Sequence, residues 1–127
     1  MSVLSPAAAA LVKLMGEVPR GPRRDGAFAL WLTLRVAEDL LLQPPPPQRA
    51  TRRRVASLEG RLSSLSVPAP LRRPLAAALL ELQVAERERA PLILQQLVAP
   101  AREAVGAEAA EALARAARGA VQRLREA

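Results

Sequence analysis

Apolar residues recur along most of the chain at spacings of three and four, and prolines and glycines interrupt them at intervals. That spacing places apolar side chains on one face of a helix. Ser5-Pro6 reads as the first helix start, with Ser5 as cap and Pro6 at the first helical position, where a missing N–H costs nothing. The helix carries Leu11, Leu14 and Met15 on one side and stops near Gly16. Val18 to Arg24, rich in Pro and Gly, reads as a loop. Asp25 is the expected cap of a second helix over about 26–42. Ala27, Phe28, Leu30, Trp31, Leu32 and Leu34 wrap most of that helix, which predicts a buried, central position. Arg35 reads as the local ion-pair partner of Glu38 and Asp39, which follow at i+3 and i+4, and the alternative is that Glu38 or Asp39 is a buried partner for an arginine elsewhere in the fold.

Gln43 and the four prolines after it end the second helix. They favour a polyproline spacer of about 12 Å, and a docking ligand for a proline-binding domain is the lesser reading. The forty-odd residues before this run are too few to fold unaided, so it is not read as a domain boundary, and residues 1–127 are expected to form one helical domain. A third helix, about 48–65, presents Val55, Leu58, Leu62 and Leu65 as its seam, with Gly60 inside it. A fourth starts near Leu71 or Pro74 and continues to about Ala90. Its charged tail, residues 86–89, holds a Glu86–Arg89 pair. Pro91 forces a kink or a new helix, and the short apolar stretch from Leu92 to Val98 closes at Pro100. The last helix, about 101–126, sets Val105, Ala109, Ala112, Leu113, Ala116, Ala120 and Leu124 along one side and pairs Glu111 with Arg115. The prediction is an all-α fold, a single compact bundle of five or six helices with Pro-rich connections. No fixed-period repeat emerges.

Composition strengthens the helical reading. Half of the residues are apolar, yet there is one Phe, one Trp and no Tyr, so the core must be built of Leu and Ala. Both are strong helix formers. Such a core is thin for this size. Association through the Ala-rich face of the last helix, as a symmetric homodimer, would bury more of it. No stretch is long and apolar enough to span a membrane and the first residues do not resemble a signal peptide, so a cytoplasmic protein is expected.

Candidate chemistry is sparse. With no His and no Cys, the usual zinc and haem ligands and any thiolate nucleophile are missing. Lys13 is the only lysine available to activate a serine, and Ser63-Ser64 reads as local capping at a helix end. Glu108 and Glu111 share a face but lack the Glu-x-x-His partner motif of di-iron bundles. No glycine-rich phosphate loop occurs. No enzyme activity, cofactor or metal is expected.

Charge adds one asymmetry. Residues 20–73 hold eleven arginines against four acids, which accounts for the entire net charge of +7, while both flanks balance. Arg20, Arg23 and Arg24 lie in the first loop, Arg49, Arg52, Arg53 and Arg54 open the third helix, Arg61 follows, and Arg72 and Arg73 open the fourth. Arg49 and Arg53 are i,i+4 neighbours. Cations at a helix N-terminus oppose its dipole, a conflict that an anionic partner relieves. Two functions from different classes follow. One is a non-enzymatic interaction or regulatory module that presents helical surfaces to another protein or to itself. The other is an accessory protein that binds nucleic acid through this arginine cluster, although the two aromatics, Phe28 and Trp31, read as buried and unavailable for stacking.

Overall fold

A computed structural model describes residues 5–42, 48–84 and 86–126, with the backbone only for 48–51. The protein is an all-α bundle, with no strand among the described residues. Its helices are α1 (Pro6–Glu17), α2 (Pro22–Leu42), α3 (Gln48–Leu62), α4 (Ala69–Gln83), α5 (Ala90–Gln96), α6 (Val98–Ala104) and α7 (Ala107–Glu126), with a 3₁₀ turn over Arg87–Arg89. Helix α2 touches every other helix, as its all-round hydrophobicity predicts. The core is one continuous cluster of Leu, Ala, Val and Ile, with Leu11, Leu30, Leu34, Leu71, Leu82, Ile93, Leu94 and Leu113 among its fully buried side chains. Thr33 is the one buried polar side chain among the described residues, and its hydroxyl donates to the Ala29 carbonyl at 2.9 Å.

The first helix starts where the sequence places it. Ser5 Oγ accepts from the Ala8 amide at 3.1 Å, and Pro6 occupies the first turn. Helix α2 begins three residues before the expected cap. Pro22 lies at its first position, so Asp25 falls within the first turn instead of outside it. A carboxylate there still suits the positive end of the dipole. It also accepts from the Ser66 amide at 2.8 Å, tying the α3–α4 connection to the start of α2. At the other end, the last turn of α2 contains no basic residue of its own. Arg87 supplies one from a distance and donates to the Leu41 carbonyl at 3.1 Å, satisfying one of the terminal acceptors. The polyproline spacer, residues 43–47, lies outside the described residues.

Helix α3 ends at Leu62, three residues earlier than the apolar seam suggests. The hydroxyls of Ser63 and Ser64 donate back to the carbonyls of Gly60 and Arg61, both at 2.8 Å, which is the local capping expected of that pair. Gly60 is helical and exposed, and a Cβ there would meet nothing within 4 Å. Gly60→Ala is therefore expected to raise unfolding stability by roughly 0.5–1 kcal/mol, because Ala loses less backbone entropy in a helix. Urea denaturation checks it; an unchanged or lowered midpoint contradicts the open surroundings of this glycine.

The C-terminal half departs most from the sequence pattern. Helix α4 stops at Gln83, not near Ala90, and the charged run folds as the 3₁₀ turn instead of a helical tail. Arg89 accordingly pairs with Glu81 at 3.3 Å, not with Glu86. Pro91 sits in the first turn of the new helix α5. Pro100 does not close the apolar stretch. It is the third residue of α6, within the first turn, where its missing N–H has no intrahelical partner to lose. The expected helix over 101–126 is broken at Val105-Gly106. Gly106 adopts φ +131°, a conformation that side chains rarely tolerate, and its amide reaches back to the Ala101 carbonyl at 3.1 Å to finish α6. Arg23 crosses to this break, donating from Nε to the Val105 carbonyl. On α7, Glu111 pairs with Arg118 at 3.2 Å, one turn beyond the expected Arg115.

The small residues of α7 are used inside the chain. Ala109, Ala110, Ala112, Leu113, Ala117 and Ala120 are buried, with α7 packed on α1, α5 and α6. The close approach that Ala permits is thus made within one molecule. Of the stripe through which a homodimer is expected, Val105, Ala109, Ala112, Leu113 and Ala120 are buried within the chain, and Ala116 and Leu124 are half-buried.

Candidate functional site

The ten arginines singled out in the sequence do not form one patch. Arg23 is committed to the Val105 carbonyl. Arg72 donates from Nε to the Val67 carbonyl at 3.0 Å, and Arg72 and Arg73 are exposed on the first turns of α4. Arg20 is exposed ahead of α2, and Arg24 lines a shallow depression beside Val12, Met15 and Phe28. Arg52 is exposed on α3 away from the groove described next, and the side chain of Arg49 lies outside the described residues.

Arg53, Arg54 and Arg61 do come together. They line one side of a groove of about 590 Å³ between α2 and α3. Leu32 and Val36 of α2 and Leu58 of α3 provide its apolar part, and Arg35 of α2 faces it from the other side. The α3 contribution follows from helical geometry. Arg54, Ser57, Leu58 and Arg61 fall at i, i+3, i+4 and i+7, one face of a helix. Leu58 and Leu32 are buried where the two helices meet, which leaves the arginines at the rim.

Sequence reasoning misses Arg35, because it pairs Arg35 locally with Glu38 and Asp39. Neither pair forms. Asp39 Oδ2 instead lies 3.9 Å from Arg54 Nη1, an arginine from elsewhere in the fold, but the carboxylate is 40% exposed and not the buried partner of the alternative. Asp39 is in the last turn of α2, the negative end of that helix dipole, so a cation from the neighbouring helix suits it better than solvent alone. The signal that exposes Arg35 is its position beside Leu32 and Val36, at the edge of the apolar surface of α2. The groove therefore holds four guanidinium groups and one carboxylate.

The two aromatics are only half-buried, contrary to expectation. They stack on each other with ring centroids 5.9 Å apart and planes 25° apart. Neither lines the groove. Among the described residues, no group of three Asp or Glu side chains is placed to hold a metal ion, and no helix is long and apolar enough to cross a membrane. No protein-family model matches the chain, and no curated protein or solved structure is detectably similar to it.

Proposed function

We propose that this protein is a non-enzymatic interaction module whose α2–α3 groove takes an acidic, amphipathic segment of a partner protein. The observation that carries the reading is the composition of the groove: Arg35, Arg53, Arg54 and Arg61 stand around Leu32, Val36 and Leu58, with Asp39 as the sole acid. Guanidinium groups hold carboxylates through paired hydrogen bonds. Apolar side chains of the same segment would pack on the half-buried Val36, above the buried Leu32 and Leu58, giving the helix-in-groove mode its two components. A nucleic-acid backbone offers phosphates to the arginines but nothing apolar to this floor, and no aromatic side chain in the groove is available to stack on a base. The acidic peptide is therefore the better fit to this surface than DNA or RNA.

The test is a fluorescence-anisotropy titration with three kinds of labelled probe: a helical peptide built of Leu and Glu, the same peptide with Gln for Glu, and single-stranded and duplex DNA. The Leu/Glu peptide should bind, the Gln version should bind weakly, and the affinity should fall only moderately with salt. Replacing Arg53, Arg54 and Arg61 together with Ala should weaken peptide binding at least about 30-fold, on the scale of two lost charge-assisted contacts. Replacing Arg52 and Arg73, both exposed and outside the groove, should change it less than about twofold. Equal losses from the two sets would dismiss the groove. Tighter binding of DNA with a steep salt dependence would favour the nucleic-acid function instead, through counterion release.

A further inference from the structure

Asp39 is the only carboxylate in a groove read above as a carboxylate receptor, and its geometry with Arg54 is that of a loose, replaceable pair. The 3.9 Å separation is too long for a hydrogen bond. Arg54 Nη1 is nevertheless shielded from solvent and has no hydrogen-bond partner among the described residues. A guanidinium N–H buried without an acceptor is costly, and a distant carboxylate offsets the charge without satisfying the hydrogen. Both side chains are still substantially accessible as a whole, at 38% for Arg54 and 40% for Asp39, but Nη1 itself is covered, so an incoming carboxylate reaches it only as the Arg54–Asp39 pair opens. Salt bridges this exposed are worth only a factor of a few in an equilibrium.

Resting on the groove reading, we infer that Asp39 is an internal competitor for the partner's carboxylate. In the empty groove it holds Arg54 in place. A partner carboxylate then takes the unsatisfied Arg54 Nη1 and displaces Asp39 toward solvent. Only a segment that makes a better contact than the loose intramolecular one gains net affinity at this arginine. Asp39 thereby sets a threshold that favours a well-placed carboxylate over diffuse negative charge. Arg35, Arg53 and Arg61 make no ion pair with it within 4 Å, so Arg54 is the arginine through which the competition acts.

The experiment is a double-mutant cycle on the full chain with the labelled Leu/Glu peptide, using Asp39→Asn, Arg54→Gln and the two combined. Glu59→Gln is the control, an exposed α3 acid that does not line the groove. Asp39→Asn should bind the peptide about three- to fivefold more tightly, and Glu59→Gln less than about twofold, the difference being the pair itself rather than net charge. With Gln at position 54, the gain from Asp39→Asn should vanish. Asp39→Ser is the second variant should Asn find a new hydrogen bond to Arg54, and it should show the same gain. Equal gains from Asp39→Asn and Glu59→Gln would overturn the inference, because general electrostatics would then suffice. A gain that survives Arg54→Gln would overturn it as well. In both cases a wild-type affinity that still depends on Arg53 and Arg61 leaves the groove reading intact. No peptide binding by wild type or Asp39→Asn even at low salt overturns both.

Discussion

Replacing Leu34 with Ala is expected to lower unfolding stability by about 3 kcal/mol, or roughly 10 °C in melting temperature for a chain of this size. Leu34 is fully buried on α2, the helix that contacts all the others. Removing its branched end costs the transfer energy of the lost carbons and leaves a cavity that the neighbours must close. The core cluster is rich in alanines, among them Ala8, Ala78, Ala90, Ala101 and Ala109 on other helices, and alanine has no side-chain torsion with which to reach into a gap. Leu80→Ala is the matched control. It removes the same atoms from α4 at a position that is 64% exposed, and it should change stability by less than about 0.5 kcal/mol. Urea denaturation followed by far-UV circular dichroism compares the two. Equal losses would contradict the placement of α2 at the centre of the bundle.

The central position of α2 is visible in its residues because hydrophobicity around a whole helix has one simple solution, burial on all sides. The Ser5-Pro6 start is visible for a similar reason: the cap and the first turn are chemistry within four residues. Errors arise where a residue type suits two neighbouring positions equally well. Asp25 is a good cap and also a good first-turn acid, and Pro22 settles the choice by occupying the first helical position. Pro100 reads as a terminator, yet a proline in the first turn terminates nothing, and where α6 begins depends on how α5 packs. Gly106 carries no local mark of its positive φ. A glycine between Val105 and Ala107 reads equally well as a helix interior.

The site is half visible in the sequence. The excess of arginine between residues 20 and 73 is a count, and counting finds it. Division of that excess into structural and available guanidinium groups depends on contacts distant in sequence. Arg23 reaches a carbonyl 82 positions away, and Arg87 one 46 positions away. The rule for neighbours on one helix assigns Arg35 to Glu38 and Asp39. That rule is worth only a few tenths of a kcal/mol, and here the packing of α3 beside α2 outweighs it by bringing Arg54 to Asp39. The helical face holding Arg54, Leu58 and Arg61 is available from spacing alone. What spacing does not supply is the opposite wall, Leu32, Arg35 and Val36, because the α2–α3 pairing is a tertiary choice.

Replacing Gly106 with Val is expected to destabilise the fold by about 3 kcal/mol, at the upper end of the cost of forcing a side chain into an unfavourable backbone region. Gly106 has φ +131°, and a branched Cβ is the least tolerant of that geometry. Space is the smaller problem. An added Cβ would lie 3.1 Å from Arg23 Nη2, the far end of a flexible side chain that is able to move. Its movement has a consequence of its own, because the same guanidinium donates to the Val105 carbonyl at the end of α6. The substitution would thus strain the backbone and also weaken the side-chain hydrogen bond that joins the start of α2 to the α6–α7 break. The two costs separate in a cycle with Arg23→Ala. By itself Arg23→Ala should cost about 1 kcal/mol, the net worth of an ordinary hydrogen bond. In the Gly106→Val background it should cost less, since the bond is already compromised. Gly60→Ala, which also adds a Cβ to a glycine but in an ordinary helix, moves stability in the opposite direction. Stability unchanged by Gly106→Val would mean that α6 and α7 join without a positive φ. Fully additive losses would mean that Arg23 does not sense residue 106.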